Sequence, residues 1–159
     1  MKYGKAFFAG VTGGVVMSLL MAIGRAMGMQ MNLEMMEGTM LGLQPSTTTW
    51  LAGLMMHLII SGLIALIYAA GFEYVTHSAD WPTGMMFSLI HIVIAGFLMG
   101  MVPVMHPLIP AKMPAPSLFM SNHGMIGIVA FIMLHLIYGG IVGAIYTPVH
   151  RHFKTLVVV

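Results

Sequence analysis

Three histidines lie within long apolar stretches of the chain: His57, His91 and His135. Neutral imidazole is a good ligand for copper, zinc, iron and nickel. An ionisable side chain in an apolar segment is costly to bury, and it is therefore a functional candidate. The three residues predict a site for a transition metal or for haem. A simpler interpretation also stays open, in which each imidazole hydrogen-bonds to a neighbouring serine, tyrosine or carbonyl group and holds helices together.

The composition indicates that these histidines lie in a membrane. The chain has 159 residues, of which 59% are hydrophobic and only 6% are charged, whereas soluble domains carry about 25% charged residues. A run of about 20 apolar residues crosses a bilayer as a helix. We therefore predict a single all-α membrane domain over residues 1–159, a bundle of four transmembrane helices at about 4–29, 48–72, 83–102 and 124–146.

The predicted helices place the three histidines at one depth. With a rise of about 1.5 Å per residue, each histidine lies about 15 to 17 Å below the outer end of its helix. Small residues recur at four-residue spacing beside two of them, for example Gly53 beside His57 and Gly139 beside His135. Such stripes allow close contact between helices in lipid, so we expect these imidazoles to point into the bundle.

An internal repeat adds a fourth candidate ligand. The segment that begins at His57 aligns with the segment that begins at His135, and the first predicted helix aligns more weakly with the third. This alignment predicts two repeated helical hairpins, and it pairs Met21 with His91. A thioether ligand shifts the metal preference towards copper(I). Copper on the three histidines and Met21 is therefore the favoured prediction, and haem b with two histidine ligands is the alternative.

A second group of candidate ligands lies on the two connections that face outward. Carboxylates and imidazoles there would receive a metal ion or relay protons. The alternative is that the glutamates pair with Arg25 or Lys112. The group comprises Glu34, Glu37, His106 and His123.

The basic residues predict the orientation in the membrane. Lys2 and Lys5 precede the first helix, and Arg151 and Lys154 follow the last. The positive-inside rule therefore predicts cytoplasmic termini in a multi-pass membrane protein. The chain has no cysteine, so disulfides and thiolate ligands are excluded, and the net charge of +2 is too small to indicate a nucleic-acid partner. The expected partners are the bilayer and other membrane subunits or further copies of the chain.

Four motifs resemble a family of small four-helix bacterial inner-membrane proteins of unknown function. The resemblance implies the four-helix fold and a location in the bacterial inner membrane, and it marks the histidines. It implies no activity. The motifs are Trp50, Gly53 and His57 leading to Tyr68; Gly84, His91 and Gly96; Pro103, His106 and Pro107; and His135, Tyr138, Gly139, Gly143 and Tyr146.

Three functions follow from these patterns. The first is a metal- or haem-binding membrane protein that acts as an auxiliary subunit of a respiratory or oxidase-type complex. The second is a purely structural subunit of a larger membrane enzyme. The third is an oligomeric transporter for ions or small solutes, since four helices are too few to enclose a wide pore. The sequence has no nucleophile motif and no phosphate loop, so we expect no catalytic activity of the chain on its own.

Overall fold

A computed structural model describes residues 1–148 of the chain. A π-helical turn, Phe72–Thr76, extends the third α-helix, and a short 3-10 segment, Leu118–His123, precedes the fifth. The α-helices are α1 (Tyr3–Ala26), α2 (Leu33–Thr39), α3 (Thr47–Gly71), α4 (Trp81–Met105) and α5 (Gly124–Ile145).

The four long helices α1, α3, α4 and α5 are each long and apolar enough to cross a membrane. This confirms the predicted all-α bundle with four membrane-spanning helices. The predicted bounds agree to within three residues at every end. The predicted end of α4 is three residues too early, because the helix continues past Pro103 to Met105. A proline in the last turn removes only one backbone hydrogen bond, so the helix ends just beyond it.

Side-chain caps begin two of the long helices where the sequence predicts them. Asp80 accepts a hydrogen bond from the Thr83 backbone N–H (2.8 Å), and Ser46 accepts one from the Thr49 backbone N–H (3.1 Å). The hydrogen bonds from Thr83 hold the pKa of Asp80 below its usual value. The polar pair Ser121 and Asn122, just before the last apolar run, also predicts a helix cap. This prediction is wrong, because both residues lie inside the 3-10 segment and α5 has no side-chain cap.

The short helix α2 lies in the first outer connection and packs tightly against α3. Asn32 caps it by accepting a hydrogen bond from the Met35 backbone N–H (3.0 Å). Gly38 of α2 and Gly53 of α3 make the close approach possible, because a Cβ atom on Gly53 would overlap the Glu34 carbonyl oxygen. Gly53 therefore determines how near the side chains of α2 come to those of α3.

The long helices form a ring that is open on one side. Neighbouring pairs α3–α1, α1–α5 and α5–α4 are packed together, whereas the backbones of α3 and α4 approach each other in few places and side chains such as Tyr68 and Ser88 make the contact. The two tight hairpins follow the repeat alignment: a Cβ on Gly14 would overlap Ser61, and a Cβ on the aligned Gly84 would overlap the aligned Gly139. The duplication itself stays a prediction. The alignment matches α1 with α4 and α3 with α5, so the counterpart of the packed α1–α5 pair is the α3–α4 pair. Between α3 and α4 the bundle leaves a cavity.

Both ends of the described chain meet at one end of the bundle. The Lys2 backbone N–H donates to the Tyr146 hydroxyl (3.1 Å), which donates to Oε1 of the buried Glu73 (2.6 Å). Burial, followed by the hydrogen bond with Glu73, raises the pKa of Tyr146 to about 12. A chain with four membrane-spanning helices has both ends on the same side of the membrane, in agreement with this contact. The side of the membrane stays a prediction, and Arg151 and Lys154 lie outside the described residues.

Candidate intramembrane site

The open side of the ring contains a cavity of about 910 Å³. Residues of α1, α3, α4 and α5 line it, and α2 closes its outer end. The lining is mostly aliphatic and thioether side chains. All four predicted inner ligands line this one cavity: His57, His91, His135 and Met21. His57, His135 and Met21 are buried, and His91 is half-buried.

Two of the imidazoles are in direct contact. The rings of His91 on α4 and His135 on α5 meet edge to face, with centroids 4.7 Å apart and planes at 80°. The close approach of the two helices explains this contact. A Cβ on Gly139 would overlap both the Ser88 hydroxyl and the Gly84 carbonyl oxygen, so the glycine allows α4 and α5 to approach one turn from the histidines.

A backbone carbonyl group determines the tautomer of His135. Its Nδ1 lies 2.7 Å from the carbonyl oxygen of Phe131, one turn earlier in α5. A carbonyl oxygen only accepts hydrogen bonds, so Nδ1 carries the proton. In the neutral ring, Nε2 then has a free lone pair. A metal-ligating histidine commonly has this arrangement, with one nitrogen bound to a protein oxygen and the other directed to the metal.

A chain of hydrogen bonds gives His91 the same tautomer. The Ser88 hydroxyl donates to the carbonyl oxygen of His135 (2.9 Å), so its oxygen accepts from the Tyr68 hydroxyl (3.2 Å). Tyr68 then has no further proton to donate, and Nδ1 of His91, at 3.1 Å, donates to the Tyr68 oxygen. This arrangement satisfies every group in the chain and again leaves Nε2 of the neutral ring with a lone pair.

His57 lies on the α3 wall of the cavity, beside a carboxylate. Its Nδ1 is 3.5 Å from Oε1 of Glu37 on α2. Its Nε2 is buried without a hydrogen-bond partner, as is Oε2 of Glu37. The packing of α2 on Gly53, one turn before His57, explains why a residue of the outer connection reaches an intramembrane histidine.

The predicted cage of three histidines and Met21 is not assembled as a single cluster. Among residues 1–148, no three histidine, aspartate or glutamate side chains lie close enough together to hold one metal ion. His91 and His135 are in ring contact, whereas the contact of His57 is with Glu37 of α2. Thioether groups line the same cavity; they belong to Met17, Met21, Met31, Met36, Met40, Met56, Met99, Met105 and Met120.

The second predicted group does not form one site either. Glu34 is fully buried and pairs with Arg25 (Nη1 to Oε2, 2.9 Å), which is the alternative that the sequence left open. Glu37 turns instead to His57. Nε2 of the buried His106 contacts the Thr39 hydroxyl (3.2 Å) and the Met36 carbonyl oxygen (3.0 Å), and His123 immediately precedes α5. The four residues therefore serve separate contacts around α2 and α5.

The contacts of His91 with a tyrosine and of His135 with a carbonyl group are of the kind that the simpler interpretation left open, but the sequence did not identify which groups orient the rings. Tyr68 and Ser88 hold His91, and the hydroxyl of Tyr138 donates to the Ser61 carbonyl oxygen (2.5 Å). The feature of the sequence that could have indicated these hydroxyl groups is the repeat alignment, which matches Ser88 with Ser18 and Tyr68 with Tyr146. The alignment identifies these positions, but only the packing shows which hydroxyl reaches which ring.

Comparisons of the chain with protein-family models, with curated proteins and with solved structures give no match. The resemblance to small four-helix inner-membrane proteins therefore stays a prediction, and the functional argument depends on the geometry of the cavity.

Proposed function

We propose that this chain is an integral membrane protein that binds a transition-metal ion, with copper favoured, through His91 and His135. The observation that carries the proposal is the contact between the two rings, each of which has its Nδ1 within hydrogen-bonding distance of a protein oxygen atom. Each ring has its Nδ1 proton held by a protein oxygen atom, which leaves Nε2 as the metal-binding nitrogen. Such outer contacts orient a ligand and raise its basicity.

The thioether groups of the cavity favour copper(I) over zinc. Two imidazoles alone provide too few ligands for the tetrahedral site that zinc prefers. Copper(I) accepts fewer ligands, and soft sulfur ligands select it. Met21, which the sequence predicted, lines the same cavity and is our first candidate for the additional ligand. Methionine also fills irregular cores, so the experiment has to separate ligation from packing.

Haem is the second candidate, and the size of the cavity favours it. A volume of about 910 Å³ is much larger than a metal ion needs. His91 and His135 are in ring contact, so iron and a porphyrin do not fit between them. A haem with two histidine ligands would therefore use His57 together with one of the pair. Haem iron is commonly held by histidine, and the Glu37 carboxylate would act on His57 as an outer partner.

The test is purification of the whole chain from membranes, with elemental analysis, an optical spectrum and identification of co-purifying chains. We expect one copper per chain, and we expect His91→Leu and His135→Leu each to weaken copper(I) binding at least tenfold in competition with a chelator. The matched control is His123→Gln, which changes a histidine outside the cavity. Copper binding that survives both leucine variants would overturn the copper proposal, and a Soret band would replace it with haem.

The proposed role is that of an auxiliary subunit in a larger membrane complex. Within residues 1–148, the connections between the four long helices are the segments 27–46, 72–80 and 106–123. None of them is long enough to form a soluble domain for a soluble substrate. A stable complex with other membrane subunits in the purification supports this role. A chain that purifies alone, without metal or haem, leaves the structural and transport alternatives, which a liposome flux assay separates.

A further inference from the structure

We propose that the outer part of the cavity binds a lipid-soluble molecule with a hydroxylated aromatic head group, a phenol or hydroquinone, whose head lies between His57 and Glu37. This site lies on the α3 wall of the same cavity that contains the contact between His91 and His135. The ligand class goes beyond the metal function, and three independent features of the cavity lead to it.

The first feature is a pair of buried polar atoms without partners. His57 is only 5% exposed, and its Nε2 has no hydrogen bond. Oε2 of Glu37 is also buried without a partner. A buried polar group that lacks a hydrogen bond destabilises the fold, so a ligand that supplies the missing hydrogen bond is favoured. A carboxylate oxygen only accepts hydrogen bonds, so the molecule that satisfies Glu37 has to bring a donor such as a hydroxyl group.

The second feature is the shape of the cavity. Its volume of about 910 Å³ falls within the range of about 300–1,000 Å³ that is typical of small-molecule pockets. Ile67 of α3 and Ile90 and Ile94 of α4 line the cavity and are nevertheless more than half exposed, at 71%, 62% and 56%. The cavity is therefore open on the side that faces the acyl chains. A ligand enters from the bilayer, and its tail lies between α3 and α4.

The third feature is the chemistry around the head group. The methionines that line the cavity make favourable contacts between sulfur and aromatic rings, so they favour an aromatic head over an aliphatic alcohol. The Glu37 carboxylate repels an anionic head such as a phosphate or a fatty-acid carboxylate. A neutral ring with a hydroxyl group meets both conditions, because it donates to Glu37 and its oxygen lies beside His57.

The test measures binding of a decyl-substituted benzohydroquinone to the whole chain in nanodiscs, by calorimetry, without oxygen and in the presence of a metal chelator. The comparison probe is the dimethyl ether of the same molecule, which keeps the ring and the tail but has no donor. We expect saturable binding of one hydroquinone per chain and about tenfold weaker binding of the ether, because one hydrogen bond to a charged acceptor is lost. The assay contains no metal, so its result is independent of the copper proposal.

Three variants locate the site. Glu37→Gln and His57→Leu remove the polar partners, and each should weaken hydroquinone binding about tenfold. Ile94→Trp fills the opening between α3 and α4 and should prevent binding of both probes. Ile94 is exposed, so we expect the larger side chain to leave the fold intact. The matched control is Ile59→Trp, an exposed position of α3 (49%) that does not line the cavity.

Three results would overturn the proposal. One is that the ether binds as tightly as the hydroquinone, and another is that Glu37→Gln, His57→Leu and Ile94→Trp all leave the Kd unchanged. The third is a purified chain that already holds haem in this cavity. Saturable binding that the ether and the cavity variants weaken, and that Ile59→Trp does not, supports it.

Discussion

The Ser88 hydroxyl of α4 donates a hydrogen bond to the backbone carbonyl oxygen of His135 on α5, at 2.9 Å. Ser88 is fully buried, and its oxygen also accepts from Tyr68 of α3. One hydroxyl group thus connects three helices at the level of the histidines. The contact links the packing of the bundle to the orientation of His91, whose Nδ1 donates to the same Tyr68.

Tyr68→Phe should weaken copper(I) binding by about 10- to 100-fold, the usual effect of removing an outer hydrogen bond from a metal-binding histidine. The substitution leaves Nδ1 of His91 without its acceptor, so neither the ring position nor the tautomer is held. Competition with a copper(I) chelator measures the change. Tyr3→Phe is the control, because Tyr3 is 65% exposed and does not line the cavity. Equal affinities for the two variants would show that Tyr68 does not position His91.

Gly139→Ala should lower the free energy of unfolding by about 1–3 kcal/mol, as overpacking usually does. Its Cβ would overlap the Ser88 hydroxyl and the Gly84 carbonyl oxygen, so α4 and α5 would have to separate. Thermal unfolding in detergent, followed by circular dichroism, measures the effect. Gly140→Ala is a matched control on the same helix, because its nearest heavy atom would lie at an ordinary 3.5 Å. Equal melting temperatures for both variants would contradict the close packing.

Arg25→Met should destabilise the chain by about 3–5 kcal/mol, because it leaves a buried carboxylate without its partner. Glu34 is 0% exposed and its ion pair with Arg25 is 2.9 Å long. The double variant Arg25→Met with Glu34→Gln should recover much of this loss, because no buried charge remains. Thermal unfolding again provides the measurement, and Lys112→Met, at an exposed position, is the control. A single variant as stable as the double would mean that Glu34 does not depend on Arg25.

Tyr146→Phe should change how stability depends on pH. The pKa of Tyr146 rises from 10.0 to about 12 in the fold, chiefly because the ring is buried. A raised pKa favours the neutral hydroxyl in the folded state, so its contribution is complete below pH 10 and is lost as the pH rises towards 12. Wild type should therefore lose more stability than Tyr146→Phe over that interval.

Melting temperatures of both proteins between pH 8 and about pH 12 check this difference. Tyr3→Phe is the control, because Tyr3 is 65% exposed and should follow wild type. Below pH 10, Tyr146→Phe should itself be less stable by about 1–3 kcal/mol, because Glu73 loses a hydrogen bond in a buried position. Parallel curves for wild type and Tyr146→Phe at high pH would contradict the raised pKa.

The sequence alone determined the membrane class, the number of spanning helices and the residues worth testing. Long segments without charged residues are typical of transmembrane helices. In lipid, every backbone N–H and C=O group needs a hydrogen-bond partner within the protein, and a helix provides these partners locally. Caps such as Asp80 and Ser46 were also predictable, since they depend on neighbouring residues only. Glycine stripes showed that His57 and His135 point inward, and both are buried.

Only the tertiary structure decided which of these residues meet. Depth along a helix places His57, His91 and His135 at one level. The distance between their imidazole groups, however, depends on how the four helices pack against one another. Glycine contacts bring α4 and α5 together, so that His91 and His135 touch, whereas the contact of His57 is with Glu37 of α2. The pairing of Glu37 with His57 likewise depends on the packing of α2 against Gly53, a contact between distant segments that periodicity along the chain does not encode.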